Sequence, residues 1–198
     1  RSNGTWRSPS GEVRLLSGLQ CGQEARYRVR PFDVPAGPGQ VLPGAVVVFR
    51  RNTDVGDLAN FGKLTWLDEL HDGEIQGALT VSRLAGADDV AVSPDGKFVY
   101  VAAGVDDAVS IFRRNTDTND LTNFGKLTYT GARFEGDAGS GGAAVGLNGV
   151  RDIAVSADGE HLYAAGSDSS RIAVFARNRV TGSLKFLAAL ADGTTVAC

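Results

Sequence analysis

The sequence predicts an all-β protein built from repeated four-stranded units. The segment FRRNTD at residues 49–54 recurs at residues 112–117, and NFGKLT follows it both times. A second marker, VAVSPDGKFVYVAAG at residues 90–104, returns as IAVSADGEHLYAAGS at residues 153–167. Both markers are displaced by 63 residues, so the chain contains an internal repeat. No stretch shows a sustained 3.6-residue apolar period with helix caps, which argues against helical repeats.

Each repeat contains four apolar segments of strand length. They are DDVAVS, KFVYVAA, DAVSIFRR and GKLTYTGARF in one copy, and RDIAVS, EHLYAAG, SRIAVFAR and SLKFLAAL in the next. Aliphatic, β-branched and aromatic residues dominate these segments, which favours strands. Ser-x-Asp-Gly at residues 93–96 and 156–159 separates the first two segments and predicts a tight turn between them.

The hairpin between the third and fourth strands differs in length between copies. Alignment of its tips places Gly56, Asn119 and Gly182 at one position. Gly and Asn tolerate a positive φ, so we predict a left-handed backbone there in all three copies. The first two copies carry six more residues than the third, and this alignment places them after the tip.

A Gly-rich connection joins successive units and ends in Leu-x-Gly at Leu84 and Leu147. Four antiparallel strands followed by a loop that crosses to the next four are the unit of a β-propeller. The stretch at residues 92–112 and its copy at residues 155–175 resemble the repeats of YVTN and lactonase-like propellers, and the resemblance covers about residues 41–193. The resemblance implies the architecture rather than one activity, because the same blade serves lactonases, surface-layer proteins and binding modules.

The number of repeats predicts an incomplete propeller. The chain holds about three repeats of 63 residues in its 198 residues, whereas propellers have typically about 4–8 blades. We therefore expect the end faces to be covered by further blades of the same polypeptide or by a protein partner. Residues 41–198 form the propeller repeats in this interpretation. Residues 1–40 are either a degenerate first blade, with ARYRVRPF as its second strand, or the end of a preceding domain.

Composition and charge exclude two classes of partner. The 20 Lys and Arg residues nearly balance the 23 Asp and Glu residues, so no basic field predicts nucleic-acid binding. No apolar run approaches the roughly 20 residues that a membrane helix needs, so no membrane insertion is predicted. The chain starts at Arg1 and contains no Met, so we expect its N-terminus to be missing or processed. A removed secretory signal would fit an extracytoplasmic location (periplasmic, cell-surface or secreted), and a fragment would fit equally.

The two cysteines, Cys21 and Cys198, lie near opposite ends of the chain. One interpretation is that both are free thiols or have partners elsewhere. The other is a disulfide between them, which needs an oxidising compartment and ends that meet in space.

Recurring aspartates are the candidate ligand-binding residues. Asp89 and Asp152 each precede an innermost strand, and Asp106, Asp107 and Asp168 lie in the loops between second and third strands. In a propeller these positions face the channel mouth, where a ring of oxygens could hold Ca²⁺ or a polar ligand. The alternative is that the carboxylates cap turns or accept hydrogen bonds from neighbouring backbone N–H groups. No other cofactor and no dedicated metal ligand are predicted.

The remaining polar motifs favour structural roles. His161 aligns with Phe98, which predicts a strand residue packed between blades, and His71 is interpreted as a loop residue. No GxSxG motif is present, and no catalytic residue is predicted. Arginine recurs before Asn at residues 51, 114 and 177, which predicts a structural partner such as a carboxylate or carbonyl on a neighbouring blade.

Two functions are compatible with these patterns. The preferred hypothesis is a non-enzymatic interaction or scaffold module within a larger extracytoplasmic protein or assembly, because residues 136–149 supply mostly small side chains. The alternative is a lactonase-like hydrolase with a site at the channel mouth. That alternative requires acid, base or metal-ligand groups that converge from several blades.

Overall fold

The computed structural model describes residues 25–31 and 44–191, and the strands within them form three antiparallel sheets and one short hairpin. The first blade consists of β1 (Ala25–Pro31), β2 (Gly44–Arg51) and β3 (Leu64–His71). The middle blade consists of β6 (Ala87–Val92), β7 (Phe98–Ala103), β8 (Ala108–Arg114) and β9 (Leu127–Phe134). The last blade consists of β10 (Val150–Val155), β11 (His161–Gly166), β12 (Arg171–Arg177) and β13 (Leu184–Ala191). The short hairpin pairs β4 (Ile75–Gln76) with β5 (Leu79–Thr80).

The four strands predicted for each repeat are confirmed in the middle and last blades. Each sheet runs in chain order, so that every strand pairs antiparallel with the next one along the chain. The predicted turn separates the first two strands of both blades, because Gly96 N–H donates to Ser93 O and Gly159 N–H donates to Ser156 O. Tight turns within a blade leave only the longer Gly-rich connections to cross between blades.

The first blade has three strands in the described part of the chain. β1 pairs antiparallel with β2, with Tyr27 opposite Val48. This pairing occupies the position expected for the second strand of a degenerate blade. The boundary at residue 40 stays a prediction, because residues 1–24 and 32–43 lie outside the described residues, as do Cys21 and Cys198.

Two apolar layers hold the three blades together. One layer lies between the first and middle blades and includes Val46, Val48, Leu84, Val99 and Phe112. The other lies between the middle and last blades and includes Phe98, Tyr100, Ile111, Leu162 and Phe175. Adjacent residues of β7 therefore face opposite layers, as the two-residue period of a strand requires.

The hairpin prediction is wrong at two of three positions. Gly182 has a φ of 76°, but Gly56 and Asn119, both within the described residues, do not have a positive φ. The left-handed residues in the longer copies are Gly62 and Gly125, with φ of 81° and 90°.

Hydrogen bonding shows why the alignment failed. Gly62 N–H donates to Asn52 O, Gly125 N–H to Asn115 O, and Gly182 N–H to Asn178 O. These three glycines are structural equivalents, so the six extra residues lie before the left-handed glycine and not after it. The sequence alignment placed the insertion on the wrong side of the turn because the loop itself carries other Gly and Asn residues.

Candidate functional site

The innermost strands β6 and β10 lie beside each other, and both begin with a β-bulge. The extra residue is Asp88 in the middle blade and Arg151 in the last blade, since the pairing register shifts on either side of each. A bulge changes the direction of its side chain relative to the sheet, and bulges occur often next to active sites. The repeat thus places one carboxylate and one guanidinium at equivalent positions of two neighbouring blades.

The two bulge residues form a charged pair between the blades. Arg151 Nη1 lies 3.4 Å from Asp88 Oδ2, and Arg151 Nε donates to Ser167 Oγ over 3.3 Å. Among the described residues, the Asp88 side chain is 35% exposed and that of Arg151 is 65% exposed, so neither is fully buried. We call Asp88, Arg151 and Ser167 the inner-edge site.

Burial raises the pKa of Asp88, and the charge of Arg151 opposes this effect only in part. A carboxyl group with a raised pKa binds a proton more readily than an ordinary aspartate. Such a group is better matched to proton transfer near neutral pH than an unperturbed carboxylate.

Asp89 has a different environment from Asp88, although the two are neighbours in the sequence. Its side chain is almost fully buried (3% exposed) between the middle and last blades, where Oδ2 accepts a hydrogen bond of 3.1 Å from Ile153 N–H. Burial raises the pKa of Asp89, hydrogen bonds from the Ile153 and Val90 N–H groups oppose this effect in part, and the nearby carboxyl group of Asp152 adds to it. Asp89 thus joins the two blades, and the structure brings it together with Asp152.

The other predicted aspartates lie at the same end of the blades. Asp106 Oδ2 accepts a hydrogen bond of 2.8 Å from Ala85 N–H, and Asp107 Oδ1 accepts one of 2.7 Å from Gly149 N–H of the following connection. Asp168 is exposed and accepts a hydrogen bond of 2.9 Å from the Ser167 hydroxyl. One oxygen of Asp106 and one of Asp107 therefore bond backbone N–H groups, while Asp168 contacts the inner-edge site. Ligand binding by the five predicted aspartates stays a prediction.

Within residues 44–191, where side chains are described, no group of three or more His, Cys, Asp or Glu residues is arranged to hold a metal ion. The same part of the chain contains no helix long and apolar enough to cross a membrane. The predicted Ca²⁺ site stays a prediction.

Neither histidine belongs to the inner-edge site. His71 is the last residue of β3 rather than a loop residue, and its Nε2 lies 3.8 Å from Glu69 Oε1. His161 begins β11, at the end of that strand opposite to Gly166, and its ring stacks on Tyr163 with 6.4 Å between centroids.

Arg177 has the structural role predicted for the recurring arginines. Its buried guanidinium donates to Tyr100 Oη over 2.7 Å and to Gly159 O over 2.8 Å. Its Nη2 lies 3.4 Å from Asp95 Oδ1. Tyr100 and Asp95 belong to the preceding blade, so the predicted carboxylate partner is confirmed for Arg177, whereas the described hydrogen bond of Arg114 goes to Gly96 O of its own blade.

Sequence reasoning missed Asp88 and Arg151. They precede Asp89 and Asp152 in the segments DDVAV and RDIAV, where the change from Asp to Arg between copies was visible. A charge reversal between equivalent repeat positions is a signal for a pair across neighbouring blades. The bulges that direct both side chains to the inner edge leave no such signal in the sequence.

The antiparallel four-stranded sheets, stacked through two apolar layers, define part of a β-propeller. The chain belongs to the family of lactonases with a 7-bladed β-propeller, whose model matches residues 42–198. The resemblance to lactonase-like propellers predicted from the repeats is thereby confirmed.

Solved structures share this fold at low sequence identity. A candidate 6-phosphogluconolactonase from Bacteroides fragilis is 19% identical with a TM-score of 0.53, and the match covers 93% of this chain and 53% of that one. A periplasmic gluconolactonase from Pseudomonas aeruginosa is also 19% identical with a TM-score of 0.53, covering 91% of this chain and 54% of that one. A protein from Lactobacillus plantarum is 20% identical with a TM-score of 0.55, covering 90% and 42%.

The chain therefore spans about half the length of these structures. No curated protein matches it significantly in sequence.

The preferred hypothesis of a non-enzymatic scaffold is wrong. The family is one of lactonases, and two of the proteins that share the fold are named after lactone hydrolysis, which favours the alternative hypothesis. The small side chains of residues 136–149 favoured a scaffold, but the bulge residues Asp88 and Arg151 were overlooked.

Proposed function

We propose that this chain forms part of a lactonase that hydrolyses the cyclic ester of a sugar acid at the inner-edge site. Its family supports this proposal, as do the names of the Bacteroides fragilis and Pseudomonas aeruginosa proteins. The observation that carries it is the Asp88–Arg151 pair, in which the bulged starts of two neighbouring innermost strands contribute opposite charges 3.4 Å apart.

Lactone hydrolysis needs a base and a group that stabilises negative charge. Water attacks the carbonyl carbon, a base accepts its proton, and the ring C–O bond breaks to leave a carboxylate and a hydroxyl group. In this proposal Asp88 accepts one proton from the water and returns it to the ring oxygen as that bond breaks. The second proton of the water leaves the new carboxylic acid for the solvent, which gives the carboxylate. Its raised pKa suits both transfers, since the carboxyl group must bind the proton and then release it.

Arg151 is the candidate group for charge stabilisation. Its guanidinium is mostly exposed, and a guanidinium carries a positive charge and several N–H donors. A carbonyl oxygen placed beside it gains stabilisation as negative charge develops in the tetrahedral intermediate. The hydrogen bond from Arg151 Nε to Ser167 Oγ holds the guanidinium on the side of the last blade that faces Asp88.

The test is the hydrolysis of glucono-δ-lactone by the natural full-length polypeptide, measured as acid release above the spontaneous rate. We expect Asp88→Asn to lower kcat by about 100-fold or more, because a general base typically contributes that much. Arg151→Gln should lower kcat to a similar extent. Asp117→Asn, in the exposed hairpin between β8 and β9, is the matched control and should leave the rate unchanged.

Wild-type kcat in Asp88→Asn would contradict the assignment of the base. Absence of any rate above the spontaneous one in the wild-type polypeptide, for both this lactone and its 6-phosphate, would contradict the proposed activity. The predicted extracytoplasmic location and the predicted protein partner stay predictions.

A further inference from the structure

One face of the last blade has no neighbour within the described residues. Tyr163 is 40% exposed and Ile172 is 45% exposed, although both lie in the central strands of their sheet. The residues that occupy the same repeat positions in the middle blade, Tyr100 and Val109, are completely buried against the last blade. The interface between the middle and last blades therefore shows what such a face contacts when it is covered.

The outer end of that interface is built around one arginine. Arg177 of the last blade contacts three side chains of the middle blade, which are those of Asp95, Phe98 and Tyr100. The guanidinium carbon lies 5.3 Å from the Phe98 ring centroid and 5.9 Å from that of Tyr100, while Asp95 and the Tyr100 hydroxyl bond its nitrogens. Tyr100 completes the arrangement by donating its hydroxyl hydrogen to Gly182 O over 2.9 Å. A carboxylate, an aromatic ring and a phenol together form a binding site for a guanidinium group.

The uncovered face repeats these three groups. Asp158 stands at the position of Asp95, His161 at that of Phe98, and Tyr163 at that of Tyr100. Each of these side chains has a local contact, since the Ser156 hydroxyl donates to Asp158 Oδ1 and the His161 ring stacks on Tyr163. Ser93 makes the same hydrogen bond to Asp95 Oδ1 in the filled site.

We propose that Asp158, His161 and Tyr163 form a binding site for an arginine side chain, and that a further sheet of the same repeat presents this arginine. The nature of the occupant follows from the repeat. Each described blade ends its third strand with an arginine followed by asparagine, at Arg51, Arg114 and Arg177. A sheet that packs on this face as the last blade packs on the middle blade brings that arginine to the three groups.

The inner end of the same face supports this occupant independently. Asp89 of the middle blade accepts a hydrogen bond from the backbone of β10, and its counterpart on the uncovered face is Asp152. Asp152 is exposed and begins the innermost strand, as Asp89 does. Residues at both ends of the face thus occupy the same repeat positions as those that hold the existing interface.

The test uses the 198-residue chain and a peptide that copies the end of the third strand, acetyl-Val-Phe-Ala-Arg-Asn-amide. Binding is followed by NMR shifts of the Tyr163 ring and of the amides of Asp158 and Gly159. A peptide with citrulline in place of arginine has nearly the same shape without the charge. We expect saturable shifts at these groups with the arginine peptide, and binding at least tenfold weaker with the citrulline peptide.

Variants of the chain distinguish binding at the site from nonspecific binding to the apolar face. Tyr163→Phe and Asp158→Asn should each weaken binding of the arginine peptide severalfold. Val180→Ala, at an exposed position of the neighbouring hairpin, should leave it unchanged. Equal affinity for both peptides, absence of saturable shifts at Tyr163, or full binding by both site variants would each overturn the proposal.

Discussion

The middle and last blades have closely related sequences but different surroundings. In the middle blade both faces are covered, and the six residues of β7 are all buried. In the last blade the equivalent strand β11 alternates, with Leu162 and Ala164 buried and Tyr163 and Ala165 exposed. The repeat fixes the strands and their pairing in both, whereas burial of a given position depends on whether a neighbouring blade packs on it.

This difference separates two sources of stability within one repeat. Contacts inside a blade, such as the Ser93–Phe98 and Ser156–His161 turn hydrogen bonds, occur in both copies. Contacts between blades, such as those of Tyr100, occur only where a second sheet is present. Substitutions at equivalent positions of the two blades should therefore lower stability equally when they remove a contact inside a blade. They should lower it unequally when they remove a contact between blades.

The largest expected difference is between Tyr100→Ala and Tyr163→Ala. Removal of the fully buried Tyr100 ring leaves a cavity between two blades and deprives Arg177 Nε of its acceptor, so the free energy of unfolding should fall by about 3–5 kcal/mol. Tyr163→Ala should cost less than about 1 kcal/mol, because no sheet covers it within the described residues. Urea denaturation of both variants measures the difference. Equal losses would show that the uncovered face is buried in solution.

Arg177→Gln should produce the next largest effect. It leaves Asp95, the Tyr100 hydroxyl and Gly159 O without their shared donor inside the interface, so we expect a loss of about 3 kcal/mol. The matched control is Arg114→Gln at the equivalent position of the middle blade. Among the described contacts, Arg114 donates only to Gly96 O of its own blade, over 3.2 Å, and lies over the Phe124 ring. Because none of these contacts crosses between blades, the expected loss is about 1 kcal/mol. A loss of similar size in both variants would rule out a special contribution of the interface.

These comparisons show which parts of the molecule the sequence could predict. The strands followed from apolar segments and Ser-x-Asp-Gly turns, both of which are local, and the 63-residue period then implied the stacking of sheets. The role of Arg177 was predictable for the same reason, because its recurrence at each blade indicated a structural partner. The strands, the turns and this arginine could be predicted because the residues that form them recur in each copy of the repeat.

The candidate site was harder to predict because it depends on departures from the repeat. Asp88 and Arg151 form a pair for two reasons: each is the extra residue of a bulge, and β6 and β10 are neighbours. Asp89, Asp106 and Asp107 were predicted to bind a ligand, yet each accepts a hydrogen bond from a backbone N–H group, and none of them belongs to the Asp88–Arg151 pair. Residue type and repeat position cannot separate these cases, because the loop conformation decides which N–H group points at which carboxylate.

Gly182→Ala tests the corrected equivalence of the hairpins. Gly182 has a φ of 76°, and an added Cβ would overlap the Phe98 ring of the middle blade, so we expect a loss of about 2 kcal/mol. Gly125→Ala should cost about 1 kcal/mol, since its φ is 90°. Gly56→Ala is the control and should change stability by less than about 0.5 kcal/mol, because Gly56 does not have a positive φ. Thermal melts in which Gly56→Ala costs as much as Gly125→Ala would restore the original alignment of the tips.

The smallest expected difference is in the acid dependence of stability at Asp95 and Asp158. Burial alone would raise the pKa of Asp95, but hydrogen bonds from the Ser93 hydroxyl and Lys97 N–H, together with the charge of Arg177, hold it below its ordinary value. Hydrogen bonds from the Ser156 hydroxyl and Glu160 N–H likewise lower the pKa of Asp158, which has no arginine within hydrogen-bonding distance among the described contacts.

A carboxyl group whose pKa is lower in the folded protein than in the unfolded chain stabilises the fold above its unfolded pKa of about 4. That contribution is lost as the pH falls from the unfolded pKa through the folded pKa, because the unfolded chain binds the proton more readily than the folded protein. Urea midpoints measured from pH 7 down to pH 2 should fall less steeply in Asp95→Asn than in wild type. Asp158→Asn should change the slope less, since only Asp95 pairs with the buried Arg177. Identical slopes for the two variants would mean that Arg177 contributes nothing to the acid dependence, and that the interface and the uncovered face are electrostatically equivalent at these positions.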